Sequence, residues 1–140
     1  MGEYDEFTRC MVSNSRMAAR AITRRYDRHL RGRGITSTQL SLMAAIRQVP
    51  GRTVSDLAES RGFDRTTLTR NLDRLEEMLL IESRPAEKGN GRICALTRKG
   101  RDLMEALVPI WREAQAEMRA LLSDDGFDQS LGVLRRLAGV

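Results

Sequence analysis

Aromatic side chains are scarce in this chain, at 4% of its 140 residues. Aliphatic packing must therefore supply most of any core. Proline is scarcer still, with three residues, so little interrupts helix formation. Two cysteines, Cys10 and Cys94, exclude a disulfide framework, and neither stands in a metal-ligand spacing. The single histidine, His29, reads as a solvated surface residue and leaves no ligand set for a metal. No apolar run approaches the roughly 18–20 residues of a membrane-spanning helix, and no signal-peptide pattern is visible. The expected location is a reducing cytoplasm, without membrane contact. A Ser/His/Asp or Cys/His arrangement, a Gly-rich phosphate loop and a metal cluster are all missing. The chain therefore does not read as an enzyme, and no cofactor is called for.

Hydrophobic residues make up 41% of the chain, enough to build one domain, or one domain with a dimerising extension. Abundant Ala, Leu, Arg, Glu and Met favour a mainly helical protein. The net charge is +5 and the pI about 10.0, which is weak evidence by itself. Its distribution says more. Residues 1–34 carry eight Arg against four acids, residues 35–99 eleven Arg/Lys against eight, and residues 100–140 five Arg against seven. The acidic end is expected to lie away from a polyanionic partner.

Residues 5–31 read as one long helix, with Phe7, Met11, Ala18, Ile22, Tyr26 and Leu30 at roughly helical spacing, ended by Gly32 and Gly34. Thr36-x-x-Gln39 is a capping box opening a second helix that turns Leu40, Met43, Ala44 and Ile46 inward. Pro50-Gly51 ends it. Thr53-x-x-Asp56 starts a short third helix, near 53–60, and Asp64 caps a fourth, near 64–79. Residues 81–86 and 92–97 read as strands joined by Glu87-Lys88-Gly89-Asn90-Gly91, whose two glycines and asparagine suit positive φ at a hairpin tip. Thr97 caps a fifth helix, about 97–122, which should kink at Pro109, and a last helix spans about 125–138.

Helices three and four, joined across Gly62, form a helix-turn-helix, the unit that presents its second helix to the DNA major groove. With Arg65 at zero and 100° per residue, Leu68, Leu72, Leu75 and Leu79 fall between about 280° and 340°, a compact core stripe. The opposite face carries Thr66, Thr67, Arg70, Asp73, Arg74 and Glu77. Hydroxyls and a guanidinium occupy its N-terminal half, where the helix dipole favours phosphate, and acids its C-terminal half. Arg70 is suited to a bidentate contact with guanine. Thr66 and Thr67 suit phosphate or a base edge, and Arg65 and Thr69 the backbone. A solvated amphipathic helix would show the same pattern; the capped helix before it and the basic hairpin after it favour DNA. In that hairpin Arg84, Lys88, Asn90 and Arg92 suit a tip entering the minor groove. Thr36, Ser37 and Arg74 complete the expected DNA-facing set.

Gly34-Ile35-Thr36-x-x-Gln39, Val54-x-x-Leu57-Ala58, the run Asp64-Arg65-Thr66-Thr67-Leu68-Thr69-Arg70-Asn71-Leu72, then Leu75-Glu76, Leu80-Ile81 and Leu96-Thr97-x-x-Gly100 together resemble the MarR family of bacterial winged helix-turn-helix regulators. The resemblance covers nearly the whole chain. It implies a mainly α fold with a small β-hairpin wing, and a homodimer whose first and last helices intertwine. Residues 1–34 and 100–140 would form the helical dimerisation region, and residues 35–99 the DNA-binding module. Many family wings carry Asp-x-Arg at the tip, where this chain has Lys88-Gly89-Asn90.

Dimerisation also follows from the residues. The fifth helix has one apolar stripe at Leu103, Leu107, Ile110, Ala114, Met118 and Leu121 and a second at Met104, Val108 and Trp111, too much for a helix covered on one side. A two-fold dimer reads a pseudo-palindromic operator in double-stranded DNA. The resemblance further implies a repressor released by a small phenolic or aromatic effector, bordered here by Met17, Met43, Ile46 and Trp111, which equally read as plain core. Some relatives sense peroxide through a cysteine near the start of the first helix, which makes Cys10 a redox candidate; an inert thiol is the alternative. Cys94 reads as a small buried hydrophobe. A winged-helix protein-interaction adaptor, without sequence preference or steep salt dependence, is the competing class.

Overall fold

The structure, a computed structural model, describes residues 2–140. A 3₁₀ helix, Glu3–Arg9, leads into α1 (Met11–Leu30), followed by α2 (Ser37–Gln48), α3 (Val54–Arg61) and α4 (Arg65–Glu77). The strands β1 (Ile81–Pro85) and β2 (Arg92–Leu96) come next, then α5 (Arg98–Leu122) and α6 (Asp124–Ala138). The fold is mainly α with one antiparallel hairpin, as the resemblance implies.

Local chemistry sets most of these boundaries. The Thr36 hydroxyl accepts the Gln39 N–H at 3.2 Å, and the Gln39 amide oxygen accepts the Thr36 N–H at 3.0 Å. This closed capping box also explains why Gln39 is a buried polar residue. The Thr53, Asp64, Thr97 and Ser123 side chains cap α3, α4, α5 and α6 in the same way. Gly62, at φ 71°, takes the left-handed conformation that ends α3 and turns the chain into α4. Helix α5 runs through Pro109 without ending.

Leu42, Met43, Leu68, Leu72, Leu75, Leu80 and Ile81 are the fully buried heart of the core. Helix α2 lies at its centre and packs against α1, α4, α5 and β2. It is therefore covered on more than one stripe: Leu42 and Ala45 are buried along with the expected Met43 and Ile46, while Leu40 and Ala44 are half-buried.

The structure departs from the sequence expectations in several places. The first helix is not continuous from residue 5. Cys10 is extended (φ −66°, ψ 123°), and the chain passes from 3₁₀ to α geometry there; the Asn14 amide donates to the carbonyls of Thr8 and Cys10 across the break. Phe7 and Met11 are exposed in the single chain. Helix α4 stops at Glu77, and Leu79 leaves the core stripe at φ 60° with 66% exposure. Leu80, whose N–H donates to the Leu75 carbonyl, fills the core instead. At the hairpin tip only Gly89 has positive φ. The hairpin pairs Ile81 with Leu96 through to Pro85 with Arg92. Strand β2 buries neighbouring residues, Ile93 and Cys94, since α2, α3 and α5 all pack against it, and an isolated bridge ties Ile93 to Thr53 at its edge. Finally, His29 is not a solvated surface residue: it is half-buried against α5, with Nε2 2.6 Å from Glu117 Oε2.

Candidate nucleic-acid interface

The outer face of α4 is open to solvent. Arg65, Thr66, Thr69, Arg70, Asp73, Arg74 and Glu77 line a shallow groove along it. Three buried leucines on the other side, Leu68, Leu72 and Leu75, fix which way this face points. Arg70 makes no ion pair among the described residues, so its guanidinium is available. Thr67 is half-buried, and its backbone N–H donates to Asp64 at 2.9 Å. The Thr67 hydroxyl, then its backbone N–H, holds the Asp64 carboxyl below the usual carboxylate range. Thr67 thus serves the cap, and the free hydroxyls of this face are Thr66 and Thr69.

The acids in the C-terminal half of α4 have a role that sequence reading missed. Arg92, on β2, pairs with Asp73 at 2.9 Å and also with Glu76. Ser83, on β1, donates its hydroxyl to Glu76 at 2.7 Å. The Ser83 hydroxyl, followed by the Arg92 charge, lowers the Glu76 pKa. These contacts strap the hairpin to α4, and Arg92 is engaged in the strap. Arg84, Lys88 and Asn90 are exposed, so Arg84 and Lys88 are the cations that the hairpin offers outward. Nothing in the local sequence marks Arg92 as different from Arg84; the pairing depends on residues 16 and 19 positions away.

Thr36 is exposed at the start of α2, while Ser37 is half-buried and its N–H donates to Asp27 at 2.7 Å. Arg74 pairs with Glu77 at 3.2 Å across solvent, a weak link.

A cavity of about 400 Å³ lies between α1, α2 and α5. Its wall is largely apolar, with Ile22, Leu40, Met104, Leu107 and Trp111, and carries the polar groups of Thr23, Tyr26, His29, Ser37 and Ser41. Tyr26 donates its hydroxyl to Gln115, and burial, then the Glu117 charge, raises its pKa. Of the four residues expected to border such a space, Trp111 lines it. Met43 and Ile46 belong to the buried core, and Met17 is 62% exposed on α1, outside the lining. Cys10 is partly exposed, and the backbone N–H groups of Ser13 and Val12 draw its pKa below the usual thiol value. Burial raises that of Cys94.

Among the described residues no helix is long and apolar enough to cross a membrane, and no group of His, Cys, Asp and Glu could hold a metal ion.

A family model described as the MarR family matches residues 33–93. No curated protein matches the chain. Among solved structures, the M. tuberculosis transcriptional regulator MosR in complex with DNA is 36% identical over 93% of this chain and 96% of that chain, with TM-score 0.77. A mutant of MarR from E. coli complexed with operator DNA is 22% identical over 98% of this chain and 99% of that one, with TM-score 0.82. The PcaV transcriptional regulator from Streptomyces coelicolor, in complex with its natural ligand, is 20% identical, covering 96% and 95%, with TM-score 0.80. The latter two share the fold; the likeness to MosR extends through the sequence of both the winged module and the flanking helices. The chain belongs to the MarR family of DNA-binding transcriptional regulators.

Proposed function

We propose that the protein is a homodimeric, cytoplasmic repressor that binds a pseudo-palindromic operator through α4 and the wing and is released by a small aromatic effector. The observation that carries this reading is the open, uncommitted Arg70 on a face whose orientation the leucine core and the Arg92 strap both fix. Arg65, Thr66, Thr69 and Arg70 enter the major groove, with Arg70 at a guanine edge. Lys88, Asn90 and Arg84 follow the minor groove or its phosphates. Thr36 meets the backbone beside them. Residues 1–34 and 100–140 join two copies, and residues 35–99 form the winged DNA-binding module.

The cavity supports the effector. Its walls offer hydroxyls and an imidazole but no free cation, so it suits an uncharged aromatic with a hydrogen-bonding substituent better than a carboxylate. It lies between the helices assigned to dimerisation and α2 of the winged module, where filling it would alter the spacing of two α4 helices.

The test is selection of bound duplexes from a random library, followed by salt titration. A pseudo-palindrome bound with a steep salt slope is expected. Arg70→Ala should lose about 1–3 kcal/mol of discrimination for the selected duplex over a mixed-sequence one. Equal loss on both would make Arg70 a phosphate contact. A neutral phenol added to the complex should raise its apparent Kd; an unchanged Kd across phenols would remove the effector from the reading.

A further inference from the structure

The α4 face is not the only basic surface. A second groove runs between the C-terminal half of α1, the turn into α2 and the C-terminal part of α4. Arg24, Arg28, Arg31 and Arg74 line it, with Asp27 and Thr36. Arg74 also lines the groove over α4, so the two surfaces meet at that side chain.

Four guanidinium groups face one carboxylate here. Asp27 is occupied in holding the Ser37 N–H at 2.7 Å. Arg28 reaches Glu117 at 3.5 Å and Arg74 reaches Glu77 at 3.2 Å, with the two arginine side chains 54% and 63% exposed. Pairs so open to water hold weakly and are screened by salt. Arg24 and Arg31 make no salt bridge among the described residues. Two of the four arginines therefore stand without a carboxylate partner among the described residues, and the groove keeps a net positive charge.

We infer that this groove is a second phosphate-binding ledge, taking the sugar–phosphate backbone of the same duplex whose major groove receives α4. The inference rests on the DNA-binding reading above. Arg24 and Arg28 stand one turn apart on α1, and Arg31 follows as its C-cap, where the backbone leaves helical geometry (φ −56°, ψ 132°). Seven residues at 1.5 Å rise span about 10 Å, and successive phosphates of one strand advance about 3.4 Å along the duplex axis. The row is thus long enough to contact more than one phosphate of a strand. Continuity at Arg74 favours DNA over an acidic protein, because a duplex seated on α4 already brings its backbone to that side chain. Guanidinium forks suit phosphate oxygens.

The experiment compares salt slopes of wild type and Arg24→Ala/Arg31→Ala on two probes, the library-selected duplex and a mixed-sequence duplex. Arg28 is left intact because it touches Glu117. Each lost phosphate contact reduces the log–log slope by about 0.9, so the double variant, which loses two contacts in each protomer of the dimer, should be shallower by about 3.6 on both probes. Preference between the probes should not change, since phosphate contacts carry no sequence information. Arg24→Lys/Arg31→Lys, which keeps the charge, should retain the slope. A wild-type slope in the alanine variant overturns the ledge, and so does an equal loss in the lysine variant, which would indicate damage to α1. Absence of salt-dependent binding by wild type on either probe would instead sink the DNA reading itself, and the ledge with it.

Discussion

A Cβ built on Gly100 would lie 2.1 Å from the carbonyl oxygen of Leu80 and 3.1 Å from its carbonyl carbon. That same carbonyl accepts the Thr97 N–H at 3.1 Å, and Thr97 in turn caps α5 by accepting the Gly100 N–H at 3.0 Å. The first turn of α5 is thus pressed against the segment that links α4 to the wing. The clash is with backbone, which cannot rotate away as a side-chain end would. Gly100→Ala should destabilise the fold at the upper end of the about 1–3 kcal/mol seen for overpacking. Denaturant unfolding would measure it, and a midpoint equal to wild type would mean that the linker yields. This also gives physical content to the Leu96-Thr97-x-x-Gly100 pattern seen in the sequence: the threonine ties and the glycine makes room.

At the scale of elements, the wing and α4 behave as one piece because Arg92 and Ser83 bind the acids on α4. Arg92→Ala should cost on the order of 1 kcal/mol, given that Asp73 and Glu76 are both substantially exposed. The larger expected effect is faster amide exchange in β1 and β2 with uniformly weaker DNA binding; exchange at the wild-type rate would show that the Thr53–Ile93 bridge holds the hairpin unaided. Much at this scale was legible in the sequence. The caps at Thr36, Thr53, Asp64 and Thr97 are local chemistry, and they fell where side chain and free N–H groups are a few residues apart. The break at Cys10 was not legible, because periodicity reports which face is apolar and hardly separates 3₁₀ from α winding. Leu79 was read as core because it continues the leucine spacing; the helix ends two residues earlier, and Leu80 takes the place. The Arg92 strap and the role of Thr67 depend on which partners the fold supplies, and a one-dimensional pattern does not contain them. Arg24 and Arg31 read as ordinary polar positions of an amphipathic helix until α4 is seen beside them.

The whole molecule is strongly asymmetric in how well it is covered. The winged module encloses its core, whereas Tyr4, Phe7, Met11 and Val12 at one end, and Val133, Leu134 and Leu137 at the other, each stay at least half exposed in the single chain. Exposed apolar surface on this scale calls for a partner, and a second copy is the one the proposed function supplies. Leu134→Glu/Leu137→Glu should shift sedimentation from dimer to monomer and lower operator affinity while α4 and the wing remain folded. A dimer as tight as wild type would move the interface away from α6. Charge placement fits the same division: Asp124 and Asp128 of α6 pair with Arg119 on α5, far along the chain from the basic elements assigned to DNA.

Trp111 is the chain's single tryptophan, and it stands in the wall of the cavity at 44% exposure. Its indole emission therefore comes from one known place. A compound entering the cavity displaces water from the ring and shifts or quenches that emission, whereas a compound held on the wing leaves it alone. The protein accordingly carries its own unlabelled optical reporter, one that can rank candidate effectors by titration before any operator sequence is known.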